Sequence, residues 1–206
     1  MAELDRQVAA SADNCRAAWN SSASSWVFDL GPADYVHAGY RGYYRNKAGG
    51  GMRFTNITIP EGSAITAAYF TMTCYVSRSN TTVNSKIHGE DADNAAQFSD
   101  LADYQGRPRT TAEVNWDSIP AWTLDTEYNS PDIKTIIQEI IDRAGWVGGS
   151  ALVIFWDDHD GRSTSSDESN REGYSYGGSS TKCAKLHIEY TPPAAGGARS
   201  HGYIMG

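Results

Sequence analysis

Alternation of apolar and polar positions is the main pattern of this chain, and residues 64–77 carry its longest run. The apolar face of this run comprises Ala68, Phe70, Met72, Cys74 and Val76, and the opposite face carries Tyr69, Thr71, Thr73 and Tyr75. An alternation of this length is typical of a strand that covers a core on one side only. Pro60, Glu61 and Gly62 predict the turn that precedes it.

Shorter patterns of the same kind predict further strands. They lie at 25–30, 35–40, 52–59, 82–88, 111–116, 151–156, 174–176 and 184–190. The run at 151–156 is apolar at every position, which favours a central strand. Residues 42–51 contain three consecutive glycines and are predicted to form a flexible loop. This spacing of short strands predicts an all-β fold, a two-sheet, jelly-roll-like sandwich.

One segment has helical periodicity instead. Its apolar residues recur at i, i+3, i+4, i+7 and i+8 and form a single stripe, namely Ile133, Ile136, Ile137, Ile140 and Ile141. Ser130 is predicted to cap free amides, Pro131 suits the first helical position and Asp132 complements the helix dipole. Gly145 is expected to end the helix. We therefore predict one amphipathic helix, over about 131–144, that covers the core.

The two ends of the chain have weaker patterns. Residues 1–24 are rich in alanine, serine and asparagine and are predicted to form an N-terminal arm. The sandwich domain is expected over 25–191, and a tail rich in glycine and alanine over 192–206. Apolar residues at a polar terminus suit burial against a partner, which makes Tyr203, Ile204 and Met205 candidates for assembly contacts.

Composition narrows the choice of partners. A net charge of −8 and a pI near 5.0 argue against nucleic acid as the main partner. No apolar stretch approaches the roughly 20 residues of a membrane span, so we expect no membrane partner. The first residues lack the basic and apolar regions of a secretory signal. Synthesis in a cytoplasm is therefore expected.

The sequence carries no recognisable catalytic signature. It has neither a nucleophile elbow, a zinc-protease motif, a P-loop nor a dinucleotide fingerprint. The three cysteines lack metal-ligand spacing. Cys74 is predicted to be a buried thiol, and a bridge between Cys15 and Cys183 is left open. We therefore expect a protein that is not an enzyme and needs no cofactor, except for a structural calcium ion.

Two acidic clusters are candidates for that ion. One lies at 90–94 and the other follows the apolar run at 157–160; the candidate ligands are Asp91, Asp93, Asp157, Asp158 and Asp160. Carboxylate oxygens in loops suit calcium, although neither cluster has the EF-hand register. The alternative is a pair of solvated turns in which carboxylates accept hydrogen bonds from loop amides. A glycosidase that uses the second cluster is a further hypothesis.

Aromatic residues give a second kind of candidate site. Tyr40, Tyr43 and Tyr44 cluster beside the glycine-rich loop, and Trp122 lies in a predicted loop. Exposed flat rings stack on sugars, so these four residues are predicted to bind carbohydrate. The alternative is packing, which the inward or strand-end positions of Trp116, Trp146 and Trp156 favour.

One stretch resembles a known family. Residues 59–70, Ile-Pro-Glu-Gly-Ser-Ala-Ile-Thr-Ala-Ala-Tyr-Phe, resemble the I-P-x-G-A-x-I-x-x-A-x-L signature of DNRLRE-like β-sandwich modules, with Ser63 in place of Ala and Phe70 in place of Leu. Three further stretches resemble a variant from phage and environmental sequences, at 90–95, at 110–116 and at 130–139. The resemblance covers roughly 25–190.

The resemblance implies a structural or adhesive module that occurs in bacterial surface and phage-associated proteins. Together with the absent secretory signal, it predicts a structural protein of a phage particle, located in the virion. This protein would decorate the capsid or associate with the tail. Its expected partners are copies of itself and other virion proteins. The alternative is a module that binds surface glycans or a receptor.

Overall fold

The structure, a computed structural model, describes residues 1–42, 45–79, 82–166 and 168–194. Its strands are β1 (Ala2–Gln7), β2 (Asn14–Asn20), β3 (Ser25–Leu30), β4 (Tyr35–Arg41), β5 (Arg45–Ile57), β6 (Ala64–Thr73), β7 (Ser85–Glu90), β8 (Arg109–Trp116), β9 (Glu127–Asn129), β10 (Ser150–Asp157), β11 (Asn170–Tyr174) and β12 (Lys185–Thr191). Its helices are α1 (Leu101–Gly106) and α2 (Lys134–Ile141), with a 3₁₀ turn at Ser11–Asp13.

The strands form two antiparallel sheets. The smaller sheet has the order β1-β12-β6-β9. The larger sheet has the order β11-β4-β5-β10-β7-β8, and β2 joins β5 to β3 beside this path. The predicted all-β, two-sheet sandwich is confirmed. No helix in the part of the chain that the structure describes is long and apolar enough to cross a membrane.

Strand β6 brings the predicted apolar face into the core between the sheets. Ala68, Phe70 and Met72 are fully buried, whereas Tyr69 and Thr71 are partly exposed. Period-2 alternation places these two sets on opposite faces. The strand ends at Thr73 rather than at residue 77, and Cys74 makes only an isolated bridge to Gly173.

Strand β10 is the central strand that its apolar run predicts, because it is buried on both faces. Leu152, Ile154 and Trp156 belong to the main core. Val153 and Phe155 face the opposite way, into a second cluster on the outer face of the larger sheet. We call this second cluster the outer cluster; its buried members are Cys15, Ala17, Ala95, Phe98, Tyr104, Val153 and Phe155.

The prediction that residues 1–24 form an N-terminal arm is wrong, because this segment contains strands β1 and β2 of the two sheets. Strand β1 pairs with β12 along its full length, from Ala2 opposite Tyr190 to Gln7 opposite Lys185. Strand β2 pairs with both β3 and β5. Short side chains hide the pattern of β2, since its buried positions hold residues such as Ala17 and Ala18 instead of large apolar groups.

The predicted flexible loop over residues 42–51 is also wrong for residues 45–51, which lie in β5. Strand β5 runs through all three glycines, which pair with β10 on one side and β2 on the other. A β-carbon on Gly50 would lie 2.3 Å from the backbone oxygen of Cys15. One on Gly51 would lie 2.3 Å from the Phe98 ring. Glycine is needed here because other groups approach the backbone closely.

The predicted apolar stripe of α2 is confirmed, since Ile136, Ile137, Ile140 and Ile141 are buried. The helix is shorter than predicted and begins at Lys134, and Ser130 does not cap it. The Ser130 hydroxyl instead accepts the backbone N–H of Phe70, at 3.1 Å, at the edge of β6. Helix α1 was not predicted.

All three cysteines are buried free thiols. Cys15 lies in the outer cluster, whereas Cys74 and Cys183 lie in the main core. The buried Cys74 is therefore confirmed, and the alternative of a Cys15–Cys183 bridge is wrong. Burial raises the pKa of each thiol above its ordinary value, so the thiolate is disfavoured.

Candidate functional site

A cavity of about 310 Å³ opens beside the outer cluster, on the outer face of the larger sheet. We call it the outer pocket; its lining residues are Trp26, Tyr104, Gln105, Arg107, Arg109 and His159. These residues come from β3, from α1 and the residue that follows it, from the start of β8 and from the loop after β10. Ligand sites in proteins occupy about 300–1,000 Å³ and combine aromatic walls with a few polar groups. The outer pocket has this composition at the lower end of that range.

Trp26 forms the aromatic wall of the outer pocket. Its half-buried ring meets the His159 ring edge to face, with centroids 4.8 Å apart and an interplanar angle of 76°. On another side it meets Trp19, at 5.9 Å and 72°. Such edge-to-face contacts are the preferred geometry of aromatic pairs. They hold the Trp26 ring in one orientation while part of it stays exposed.

His159 is positioned by the end of β10. Its backbone N–H donates to Oδ1 of Asp157 at 3.1 Å, and its ring atom Nδ1 lies 3.6 Å from the same oxygen. Gly49 leaves the room for this arrangement, because a β-carbon there would lie 2.0 Å from the Asp157 β-carbon. Gly49, the first of the three consecutive glycines, thus serves the outer pocket directly.

Tyr104 forms the floor of the outer pocket. Helix α1 presents its ring to Phe155 at 5.6 Å and to His159 at 5.9 Å, both edge to face. Its hydroxyl is buried and has no hydrogen-bond partner among the described residues. Burial raises the pKa of the Tyr104 phenol well above its ordinary value, so the group stays neutral.

Arg107 ties α1 to the sheet. It donates to Oε2 of Glu90 and to Oδ2 of Asp103, both at 2.8 Å, and to the backbone oxygens of Ala96 and Gln97. Glu90 and Arg107 are both buried. This buried ion pair is therefore a structural support of the pocket wall rather than a free binding group.

Arg109 has a different environment from Arg107. Its guanidinium carbon lies 3.3 Å from the centroid of the Phe155 ring and 5.2 Å from that of Tyr104. It donates to the backbone oxygens of Arg107 at 2.8 Å and of Tyr104 at 3.2 Å. Stacking on an aromatic face favours arginine energetically and fixes the plane of its guanidinium.

A second cavity, of about 380 Å³, lies elsewhere on the molecule. Its lining comprises Ser79, Thr82, Ser118, Ile119, Pro120, Ala121 and Arg171. Arg171 donates to the backbone oxygens of Pro120 and Ile119, at 2.7 and 2.9 Å. Its guanidinium therefore supports the loop, and the described residues of the lining include no aromatic ring. The outer pocket is the better candidate for a binding site.

The predicted aromatic site does not form as expected. Trp122 is only 2% exposed and lies in the main core, where its ring stacks on Tyr128 with centroids 4.8 Å apart. It cannot present a face to a sugar, because the rings of Tyr128 and Trp156 stack on it. Tyr40 is half-buried on β4. Tyr43 and Tyr44 lie outside the described residues.

The carboxylates of the first acidic cluster are ion-paired. Arg143 donates to Oδ1 of Asp93 at 2.6 Å through Nε, and to Oδ1 of Asp91 through Nη1. Both carboxylates thus share one arginine that follows α2. In this structure Arg143 takes the place of the cation that the sequence predicts for Asp91 and Asp93.

In the second acidic cluster, each of the three carboxylates interacts with a different partner. Asp158 is buried and accepts the backbone N–H groups of Arg162 and Ser163, at 2.7 and 2.9 Å. Asp160 lies 3.1 Å from Nζ of Lys86, and this hydrogen bond lowers the pKa of its carboxyl. Among the described residues, no group of three or more potential ligands could hold a metal. Asp158 therefore follows the alternative to calcium binding, in which a carboxylate accepts hydrogen bonds from the amides of its own loop.

The predicted assembly residues Tyr203, Ile204 and Met205 lie outside the described residues. Their role stays a prediction.

Sequence reasoning missed most of the outer pocket because it missed α1. A signal for this helix was present, since Asp100 accepts the backbone N–H of Asp103 at 2.9 Å as an N-cap. An Asp followed by a helix-compatible run is a start signal. The alternation at 25–30 predicted strand β3 itself, but it did not show that the face carrying Trp26 would lie beside α1 and His159.

Neither a scan of the sequence against protein-family models nor a search of curated proteins returns a match. The resemblance to DNRLRE-like modules therefore stays a prediction.

Proposed function

We propose that this protein is a non-enzymatic carbohydrate-binding module whose site is the outer pocket. The observation that carries the proposal is the partly exposed Trp26 ring, fixed against His159 at 4.8 Å in a cavity that also presents Gln105 and Arg109. The proposal keeps the alternative function that the sequence suggested but moves the site away from Trp122.

The chemistry of the lining supports a sugar as the ligand. One face of a sugar ring is rich in C–H groups, which pack on an aromatic ring, while its hydroxyls need donors and acceptors. Trp26 offers the ring, Arg109 offers N–H donors, and the exposed side-chain amide of Gln105 offers both donor and acceptor. A purely apolar ligand would leave these polar groups unpaired, at a cost in affinity.

The carboxylates of the second acidic cluster favour binding over hydrolysis. A glycosidase needs an acid and a base or nucleophile that flank the scissile bond. Asp158 is 2% exposed with its oxygens on backbone amides, and Asp160 pairs with Lys86. Each carboxylate thus has a local structural role, which supports the non-enzymatic part of the proposal.

Binding should depend on Trp26. In a glycan screen followed by calorimetric titration of the best ligand, Trp26→Ala is expected to weaken binding about tenfold or more, because stacking and burial are lost. Tyr40→Ala is the matched control, since it tests the aromatic site that the sequence predicts. Loss of binding in Tyr40→Ala with none in Trp26→Ala would place the site on β4 and overturn the proposal.

A role in a phage particle, which would decorate the capsid or associate with the tail, is kept as a second prediction. The N-terminal part of the chain belongs to the sandwich, so the tail is the remaining candidate for assembly contacts. Deletion of residues 194–206 is expected to reduce the mass of the assembly in light scattering and to leave the thermal midpoint unchanged. The fold should survive because β12 ends at Thr191. An unchanged mass would contradict this role of the tail.

A further inference from the structure

We infer that the ligand of the outer pocket is an acidic sugar whose carboxylate pairs with Arg109. This inference rests on the proposed carbohydrate-binding function and adds the chemical class of the ligand. It is argued from three features of Arg109: its place in the pocket lining, its lack of an acidic partner, and the fixed plane of its guanidinium.

Arg109 has no carboxylate partner in the part of the chain that the structure describes. Its guanidinium donates to the backbone oxygens of Arg107 and Tyr104. A guanidinium carries five N–H donors, so most of its donors are left for a ligand. Neutral carbonyls do not balance its charge, and a carboxylate in the pocket would.

Three acidic side chains near Arg109 already pair with other basic groups. Glu90 and Asp103 both pair with Arg107 at 2.8 Å, and Glu113 pairs with Lys86 at 3.2 Å. The two arginines of the lining therefore differ: Arg107 is satisfied by the protein, and Arg109 is available. The whole chain carries a net charge of −8, but this does not neutralise Arg109. Exposed charges farther away than about 10 Å are largely screened at ordinary salt.

The geometry of Arg109 suits a carboxylate better than a neutral hydroxyl. Its guanidinium stacks on Phe155 at 3.3 Å, which holds the planar fork in one orientation at the pocket floor. Arginine and a carboxylate form two parallel hydrogen bonds when both planes are aligned. Trp26 lines the same cavity, so one ligand can place its ring on the indole and its carboxylate on the guanidinium.

The experiment compares an acidic oligosaccharide with the same oligosaccharide after reduction of its carboxyl groups. Oligogalacturonate and a sialylated glycan serve as two sources of the carboxylate. Wild type, Arg109→Gln, Arg109→Lys and Trp26→Ala are titrated with each form, and the thermal midpoint of each variant reports its folding. Wild type is expected to bind one acidic form about tenfold or more tighter than its reduced form. Arg109→Gln is expected to abolish this preference, and Arg109→Lys to retain part of it.

The outcomes separate the inference from the function on which it rests. Equal binding of acidic and reduced forms, lost in Trp26→Ala, would overturn the acidic ligand and keep the carbohydrate-binding function. No binding of any glycan by wild type would overturn both. The comparison of the two ligands on wild type remains decisive even if Arg109→Gln fails to fold.

Discussion

Replacing Gly50 with alanine is expected to destabilise the protein by about 3 kcal/mol or more. The new methyl group would lie 2.3 Å from the backbone oxygen of Cys15, well inside van der Waals contact. Strand β2 cannot move away freely, because it is hydrogen-bonded to β5 along this stretch. Chemical denaturation measures the loss of free energy of unfolding.

Gly106→Ala is the matched control for this prediction. A β-carbon at this last residue of α1 meets no atom within 4 Å. Alanine there is expected to be neutral or stabilising by up to about 1 kcal/mol, since it lowers the entropy of the unfolded chain and suits a helix. Equal stabilities of the Gly50 and Gly106 variants would contradict this account. They would show that the segment with the three glycines at 49–51 adjusts to an added methyl group, as expected of the flexible loop that the sequence predicted.

Replacing Arg107 with methionine is expected to cost about 3–5 kcal/mol, because it leaves the buried Glu90 carboxylate without its partner. The variant also loses the bonds to Asp103 and to the backbone oxygens of Ala96 and Gln97. Arg143→Ala is the control, since the side chains of its partners Asp91 and Asp93 are 41% and 45% exposed. Pairs of that kind contribute at most about 1 kcal/mol.

The effect of Arg107→Met should depend on pH. Burial raises the pKa of Glu90 above its ordinary value, and Arg107 opposes this shift. A raised pKa in the folded state means that the contribution of Glu90 to stability is full at low pH and is lost as the pH rises through that pKa. Without Arg107 the pKa rises further, so the variant should be most destabilised near neutral pH and less so near pH 4. A destabilisation that does not change with pH would contradict this role of Glu90.

The parts of the fold that the sequence predicts well are those with local periodicity. The alternation of β6, the apolar run of β10 and the isoleucine stripe of α2 each require burial on defined faces, and each is found as predicted. The parts it misses depend on neighbours that are distant along the chain. Gly50 is a strand residue that β2 approaches closely, and the glycines at 49–51 do not by themselves distinguish such an approach from a flexible loop.

The candidate site was harder to predict for the same reason. Trp26, Tyr104, Arg109 and His159 are far apart in sequence and meet only because α1 and the loop after β10 fold over the larger sheet. The burial of Trp122 likewise depends on the stacking partners Tyr128 and Trp156. A residue type alone does not separate a core aromatic from a binding one.

The central claim is that a glycan binds in the outer pocket, and nuclear magnetic resonance of the ¹⁵N-labelled protein tests it most directly. The chain has six tryptophans, so its indole N–H signals form a small set that can be assigned by substitution. On titration with the glycan that binds best, the signals of the Trp26 indole and the Gln105 side-chain amide are predicted to shift, while that of the buried Trp122 stays in place. Shifts centred on Tyr40 or on the second cavity, with Trp26 and Gln105 unchanged, would contradict the claim.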